Sequence, residues 1–148
     1  MKYAGSLVAA VSVLATSITS AKCATMSLRD RFADAQSVTL LVVTSAHDAP
    51  VPWPYGISKG AVPGKDLTLR VLRSWKGPLR EGDVIYGWTQ GRTIEDSYPQ
   101  TDVGAQILVF SAASLHEIRA CNTADPSRLH EVSAELDAII QGQLGRGS

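Results

Sequence analysis

The sequence predicts a mainly β fold with a short helix near its start and a longer helix at its end, on three observations. Two runs, Ser37–Ser45 (Ser-Val-Thr-Leu-Leu-Val-Val-Thr-Ser) and Gln106–Ser111 (Gln-Ile-Leu-Val-Phe-Ser), are apolar on both faces, as strands buried on both sides must be. Two further runs, 66–75 and 84–89, alternate between larger and smaller or polar residues with the period of a strand. Apolar residues recur with helical spacing near the end of the chain, at Leu129, Val132, Leu136, Ile139 and Ile140.

Taken in order, Met1-Lys2-Tyr3 gives a positive start, and Ala4 to Thr16 follows without a charge. Thr19-Ser20-Ala21 supplies the small residues that a signal peptidase reads, so 1–21 is expected to be a cleaved signal peptide and 22–148 a single domain. A membrane anchor is the competing reading, because 4–21 nearly reaches the ~20 residues of a span. Its serines and threonines weaken that reading, and no stable membrane insertion is expected after cleavage. A lipid-modified Cys23 is disfavoured by Lys22, where a small residue is required. The protein is therefore expected to be secreted or periplasmic.

Ser27-Leu28-Arg29-Asp30 reads as a helix start, with Ser27 as cap and Asp30 reaching back to it, and the turn is expected to continue to about Ala35. After the strand at 37–45, residues 47–65 hold Pro50, Pro52, Pro54, Pro63, Gly56, Gly60 and Gly64. Neither helix nor central strand is expected to persist there, and a long loop in a compact domain is often functional. Trp53 and Tyr55 near its middle are read either as a lid on the core or as a contact surface.

Strand character resumes at Asp66–Trp75, with Leu67, Leu69 and Val71 on one face and Thr68, Arg70 and Leu72 on the other. Lys76-Gly77-Pro78 and Glu81-Gly82-Asp83 are turn signals before the strand 84–89, where Val84, Tyr86 and Trp88 oppose Ile85 and Gly87. Residues 90–103 read as polar and irregular. After the strand at 106–111, Leu115–Cys121 is expected as an antiparallel partner. Asp125-Pro126 opens the last helix, with Asp125 as cap and Pro126 at its first position, and fraying is expected near Gly142.

Charge and motifs narrow the function. The 148 residues carry 14 basic and 14 acidic side chains, which argues against a nucleic-acid binder or a polybasic membrane-surface protein. A hydrophobic content of 45% with 19% charged describes a folded globule. The sequence holds no G-x-S-x-G elbow, no phosphate-binding Gly loop and no H-E-x-x-H, so no enzyme and no cofactor are expected. The histidines, His47, His116 and His130, fall on a loop, a strand and a helix, which is the pattern of solvated single side chains. Cys23 and Cys121 are the two cysteines, and in an oxidising compartment an even pair suggests one disulfide. A zinc site is the alternative, but no CxxC and no His pair at helical spacing support a metal.

Several segments resemble the netrin-module superfamily, which includes the tissue inhibitors of metalloproteinases and bacterial secreted relatives. They are Phe32-Ala33-Asp34-Ala35 before a buried strand, Leu69–Gly77 ending in Trp75-Lys76-Gly77, Gly104–Phe110, and Cys121-Asn122-Thr123 before a helix. The resemblance implies a five-stranded OB-like barrel with the helix packed against it. It also implies a departure. The inhibitors start with a C-x-C pair whose first cysteine binds the protease zinc, and that position falls here at Ala21. The cysteine it would bond to is missing too, near Ser97, while the bond Cys23–Cys121 is kept. The expected function is a non-catalytic exported module that binds another protein through 47–65, around Trp53 and Tyr55, and through the N-terminal segment at Cys23. The alternative is a secreted protease inhibitor with altered chemistry at the same edge.

Overall fold

The computed structural model describes residues 26–52, 61–90, 101–112 and 118–145. The signal segment, Cys23, Trp53, Tyr55, His116 and most of the polar stretch after Gln90 lie outside the described residues.

Helix α1 (Leu28–Asp34) starts where the sequence places it: Ser27 Oγ accepts from the Asp30 N–H at 3.1 Å and donates to the Asp30 carboxylate at 2.6 Å. Seven residues are too few to be helical on propensity alone, so tertiary contacts hold them. Phe32 is buried, and Lys76 Nζ donates to the Phe32 and Ala33 carbonyls, at 2.9 Å each, satisfying the helix's last turn.

Four strands follow: β1 (Ser37–Pro52), β2 (Ala61–Lys76), β3 (Val84–Gln90) and β4 (Gln106–Ser111). They form one open antiparallel sheet in the order β3-β2-β1-β4. β1 and β4 carry apolar residues on both faces because both faces are covered. On the inner face, Leu41, Val43, Leu67, Leu69, Val71, Ile107, Val109 and Ile118 form one core. On the outer face, Val38, Trp75, Leu108 and Phe110 pack against Phe32, Ala35, Ala124 and the C-terminal helix.

The expected loop at 47–65 is corrected. His47–Pro52 and Ala61–Lys65 continue the two central strands as a paired ribbon, with Pro50 facing Pro63 and Pro52 facing Ala61. The prolines are tolerated because facing residues in an antiparallel ladder alternate between bonding each other and pointing their N–H groups outward. Two facing prolines fit the outward position, where no ladder donor is lost.

The described part of the expected strand 115–121 is also corrected: Ile118 and Arg119 are irregular and Ala120–Asn122 is a 3₁₀ turn. Asn122 dictates this, its side-chain oxygen taking the Arg119 N–H at 2.7 Å while its own N–H donates to the Arg119 carbonyl at 3.2 Å. The segment still meets both edges of the sheet. Ile118 N–H donates to the Trp88 carbonyl on β3, and Ala124 N–H to the Leu108 carbonyl on β4, at 2.9 Å each.

Asp125 caps a 3₁₀ turn, Pro126–Arg128, rather than the α-helix itself. Helix α2 (Leu129–Leu144) follows and runs past Gly142 to Gly145. Val132, Leu136 and Ile139 are buried, with Leu129 and Ile140 packed at their margin, as the spacing predicts. Asp137 ties the helix to β2: it takes two bonds from the Arg73 guanidinium, at 2.6 and 3.0 Å, and one from the Trp75 indole at 2.8 Å.

Candidate binding face

The helices cover only part of the outer face. Beyond them the register lines up three rows across β1, β2 and β3: Val42–Arg70–Val84, Ser45–Thr68–Tyr86 and His47–Asp66–Trp88. Cross-strand partners share a face, so these nine side chains form one surface. Val84 is 55% exposed and Tyr86 72%, with Arg70, Asp66 and His47 also exposed and Trp88 half-buried.

β3 is thereby inverted. Its core-facing residues are Ile85, Gly87 and Thr89, while Val84, Tyr86 and Trp88 turn outward. A single exposed apolar residue needs no explanation, but a column of them on a sheet face does. Next to that column runs a polar one, Asp66, Thr68 and Arg70 on β2.

Ser45 and His47 sit at the ribbon end of the surface, with Ser45 Oγ 2.7 Å from His47 Nε2 and Asp66 across the strand from His47. The composition is that of a hydrolytic triad, but the geometry is not. His47 is exposed, and among the described residues no hydrogen bond joins it to Asp66. A working triad needs its base oriented by the acid and its nucleophile beside an oxyanion site. Here the pair is a polar patch.

A cleft of about 320 Å³ lies among the helices, lined by Met26, Leu28, Arg31, Asp125, Arg128 and Glu135 among others. Its charged groups are already committed. Arg31 stacks 4.2 Å from the Phe110 ring and donates to the Thr123 carbonyl at 3.2 Å and the Cys121 carbonyl at 3.4 Å. Burial pulls the Arg31 pKa below its ordinary value. Arg128 is forked onto Glu131, at 2.6 and 2.9 Å, which raises the guanidinium pKa and lowers that of the carboxyl. Asp125 is occupied by Ser127. The cleft is a seam between α1 and the start of α2.

Of the residues singled out in the sequence, Cys121 is exposed and disulfide-bonded, at the 3₁₀ turn that Arg31 grips. Cys23, Trp53 and Tyr55 lie outside the described residues, and Trp53 follows directly on the end of β1. Sequence reasoning missed Val84, Tyr86 and Arg70 as surface residues, because the alternation of β3 shows two faces without saying which is inside. The paired column on β2 was the available signal, since Leu67 and Leu69 identify the buried side and the register carries it across. Among the described residues no cluster of three metal-ligating side chains is present, and no helix is long and apolar enough to cross a membrane. Comparison with protein-family models and with curated proteins finds no match to this chain.

Proposed function

We propose that the chain is an exported, non-catalytic binding module that holds a protein partner on the outer face of β1, β2 and β3, with the paired segments 47–52 and 61–65 as an extension of that surface. The inversion of β3 is the observation that carries this reading. Val84, Tyr86 and Trp88 supply apolar area and an aromatic anchor, while Arg70 and Asp66 beside them supply the polar contacts that fix register. A rigid sheet presents the face without an ordering cost, which favours recognition.

The netrin-module reading belongs with this proposal. The segment 118–124 hydrogen-bonds to both outer strands, which supports a barrel-like closure of the sheet. The second cysteine supports a Cys23–Cys121 bridge, since Cys121 is bonded and the sequence holds one other cysteine. Such a bridge would pin the N-terminal segment beside Arg31. Intact mass of the exported protein tests the processing: a start at Lys22 with both thiols blocked until reduction is expected, and free thiols or a retained signal would contradict it.

Site-specific photo-crosslinking tests the face. A crosslinker replacing Tyr86 or Arg70 is expected to give a discrete protein adduct in the exporting cell, while one replacing Arg29, exposed on α1, gives none. Tyr86→Ala is expected to remove the adduct formed from position 70, with stability within about 0.5 kcal/mol of wild type. Equal labelling from positions 29 and 86 would end the proposal.

A further inference from the structure

The outer face of β1, β2 and β3 carries two charges that the rest of the chain leaves without a counterion. Arg70 and Asp66 are both exposed on β2, and among the described residues neither side chain makes a hydrogen bond or an ion pair. They stand four residues apart on one face of one strand, about 13 Å at strand rise. Arg70 lies between Val42 and Val84, and Asp66 between His47 and Trp88. The row between them, Ser45–Thr68–Tyr86, has no charge, and Tyr86 and Val84 are 72% and 55% exposed. Opposite charges therefore stand at equal distances on either side of Thr68.

We infer that this face is closed by the same face of a second copy of this chain, in a symmetric dimer. The inference rests on the binding role proposed for the face and names its partner. A symmetric interface needs a self-complementary patch, and the rows meet that condition. A two-fold axis lying between the two sheets and crossing β2 at Thr68 sets each row over a row that complements it. Arg70 then faces Asp66 of the second copy, and Asp66 faces its Arg70. Val84 and Trp88 face each other on both sides, and Tyr86 meets Tyr86 beside the axis, where offset aromatic rings attract. The other possible axis, along β2, sets Arg70 over Arg70 and Asp66 over Asp66. Like charges across an interface repel, so the charges select the first arrangement.

The strength of this contact follows from its size. Three rows across three strands cover about 300 Å² of sheet, well under the ~800 Å² per partner of a standard stable interface. The dimer is therefore weak, with a dissociation constant on the order of 10–100 µM. Its two ion pairs are exposed, so salt weakens it. Their larger contribution is to orientation, because only the antiparallel arrangement satisfies both.

Sedimentation equilibrium of the exported protein and of charge-exchanged variants tests the pairing. Wild type is expected to dimerise, and to do so several-fold more weakly in high salt. Arg70→Asp sets two acids at each contact and Asp66→Arg sets two bases, so each variant alone should lose at least about tenfold in association. An equimolar mixture of the two restores opposite charges at both contacts and should associate as tightly as wild type. The double variant R70D/D66R, which exchanges the charges within one chain, should do the same. Both positions are exposed, so each variant is expected to unfold within about 0.5 kcal/mol of wild type. The photo-crosslink from position 86 separates this inference from the reading beneath it. An adduct of twice the chain's mass supports both, an adduct to a different protein overturns the second copy alone, and no adduct ends both. The inference is also overturned if wild type is still monomeric at about 1 mM, a hundred times the tighter constant expected. Single variants that associate like wild type, or a folded mixture and a folded double variant that both stay monomeric, overturn it too.

Discussion

Replacing Asp137 by alanine should loosen the joint between α2 and the sheet, and the loss can be estimated from its three contacts. The carboxylate accepts from the Trp75 indole at 2.8 Å and from both terminal nitrogens of Arg73. Trp75 is 8% exposed, so without Asp137 its N–H is left in a nearly dry site, at a cost of about 1–3 kcal/mol. The ion pair is half in solvent, with 52% and 34% of the two side chains exposed, and contributes no more than about 0.5–1 kcal/mol. Arg73 keeps its stacking over Trp75, 4.8 Å from the ring, so that part survives. The expected loss is about 2–3 kcal/mol, mostly from the indole. For a domain of this size that is a fall in Tm on the order of 6–12 °C. Urea unfolding of wild type, D137A, W75F and the double variant closes a cycle. A coupling of about 1–2 kcal/mol between positions 75 and 137 is expected, with Arg73→Ala costing about 1 kcal/mol or less. If D137A lies within about 0.5 kcal/mol of wild type, or costs the same with phenylalanine at 75, the indole bond does not hold the helix.

Two glycines should separate strain from crowding. Gly77 has φ +103° and a Cβ there would sit 2.9 Å from Ser37 Cβ, whereas Gly82 has φ +89° with open space around it. Gly77→Ala is expected to cost about 3 kcal/mol and Gly82→Ala about 1 kcal/mol, read from urea midpoints; equal losses would show that the contact with Ser37 relaxes freely. At the start of α2, hydrogen bonds from Ser127 hold the Asp125 carboxyl below its ordinary pKa, and the Arg128 hydrogen bond does the same for Glu131. A carboxyl whose folded pKa is depressed stabilises the fold above its unfolded pKa and loses that contribution as pH falls through the folded value. This turn should therefore loosen below roughly pH 4, and carboxyl NMR titration should give both groups midpoints under those of unfolded Asp and Glu. Ser127→Ala should raise the Asp125 midpoint and leave Glu131 in place; ordinary midpoints in wild type would refute the assignment. Ser27→Ala should reduce stability by about 1 kcal/mol through loss of the α1 cap, measured by the same unfolding assay.

Local rules were legible and non-local ones were not. The Ser27–Asp30 cap, the doubly apolar strands and the apolar stripe of α2 each depend on residues a few positions apart, and the sequence carried them. The run Trp75-Lys76-Gly77 is visible as a motif, but its reasons are distant in the chain. Trp75 is needed by Asp137, Lys76 caps the end of α1, and Gly77 lies against Ser37. The prolines of 47–65 misled for the same reason. Whether a proline breaks a ladder depends on the hydrogen-bonding phase of its position, which only the partner strand determines. The site shared this fate. The alternation in β3 was read, yet its inside and outside could not be told apart until Leu67 and Leu69 fixed the buried face of β2.

The inversion of β3 is not forced by a shortage of core. At its inner face Gly87 stands opposite Leu67 and is itself buried, while Ile118, 1% exposed, packs with Leu67, Ile107 and Val109. Ile118 is held there by the bond from its N–H to the Trp88 carbonyl. Beneath Gly87 and Thr89 the space is filled by side chains from β2, β4 and the 118 segment, while Ile85 still packs against that core. Val84 and Tyr86 on the opposite side are 55% and 72% exposed, at positions where threonine also suits a solvated strand. α2 does not call for them either, since it is anchored over Trp75 and Leu108, with Asp137 on Arg73. Packing among the described residues accounts for Gly87 and Thr89 on the inner face of β3, and the proposed partner contact would account for Val84 and Tyr86 on the outer one.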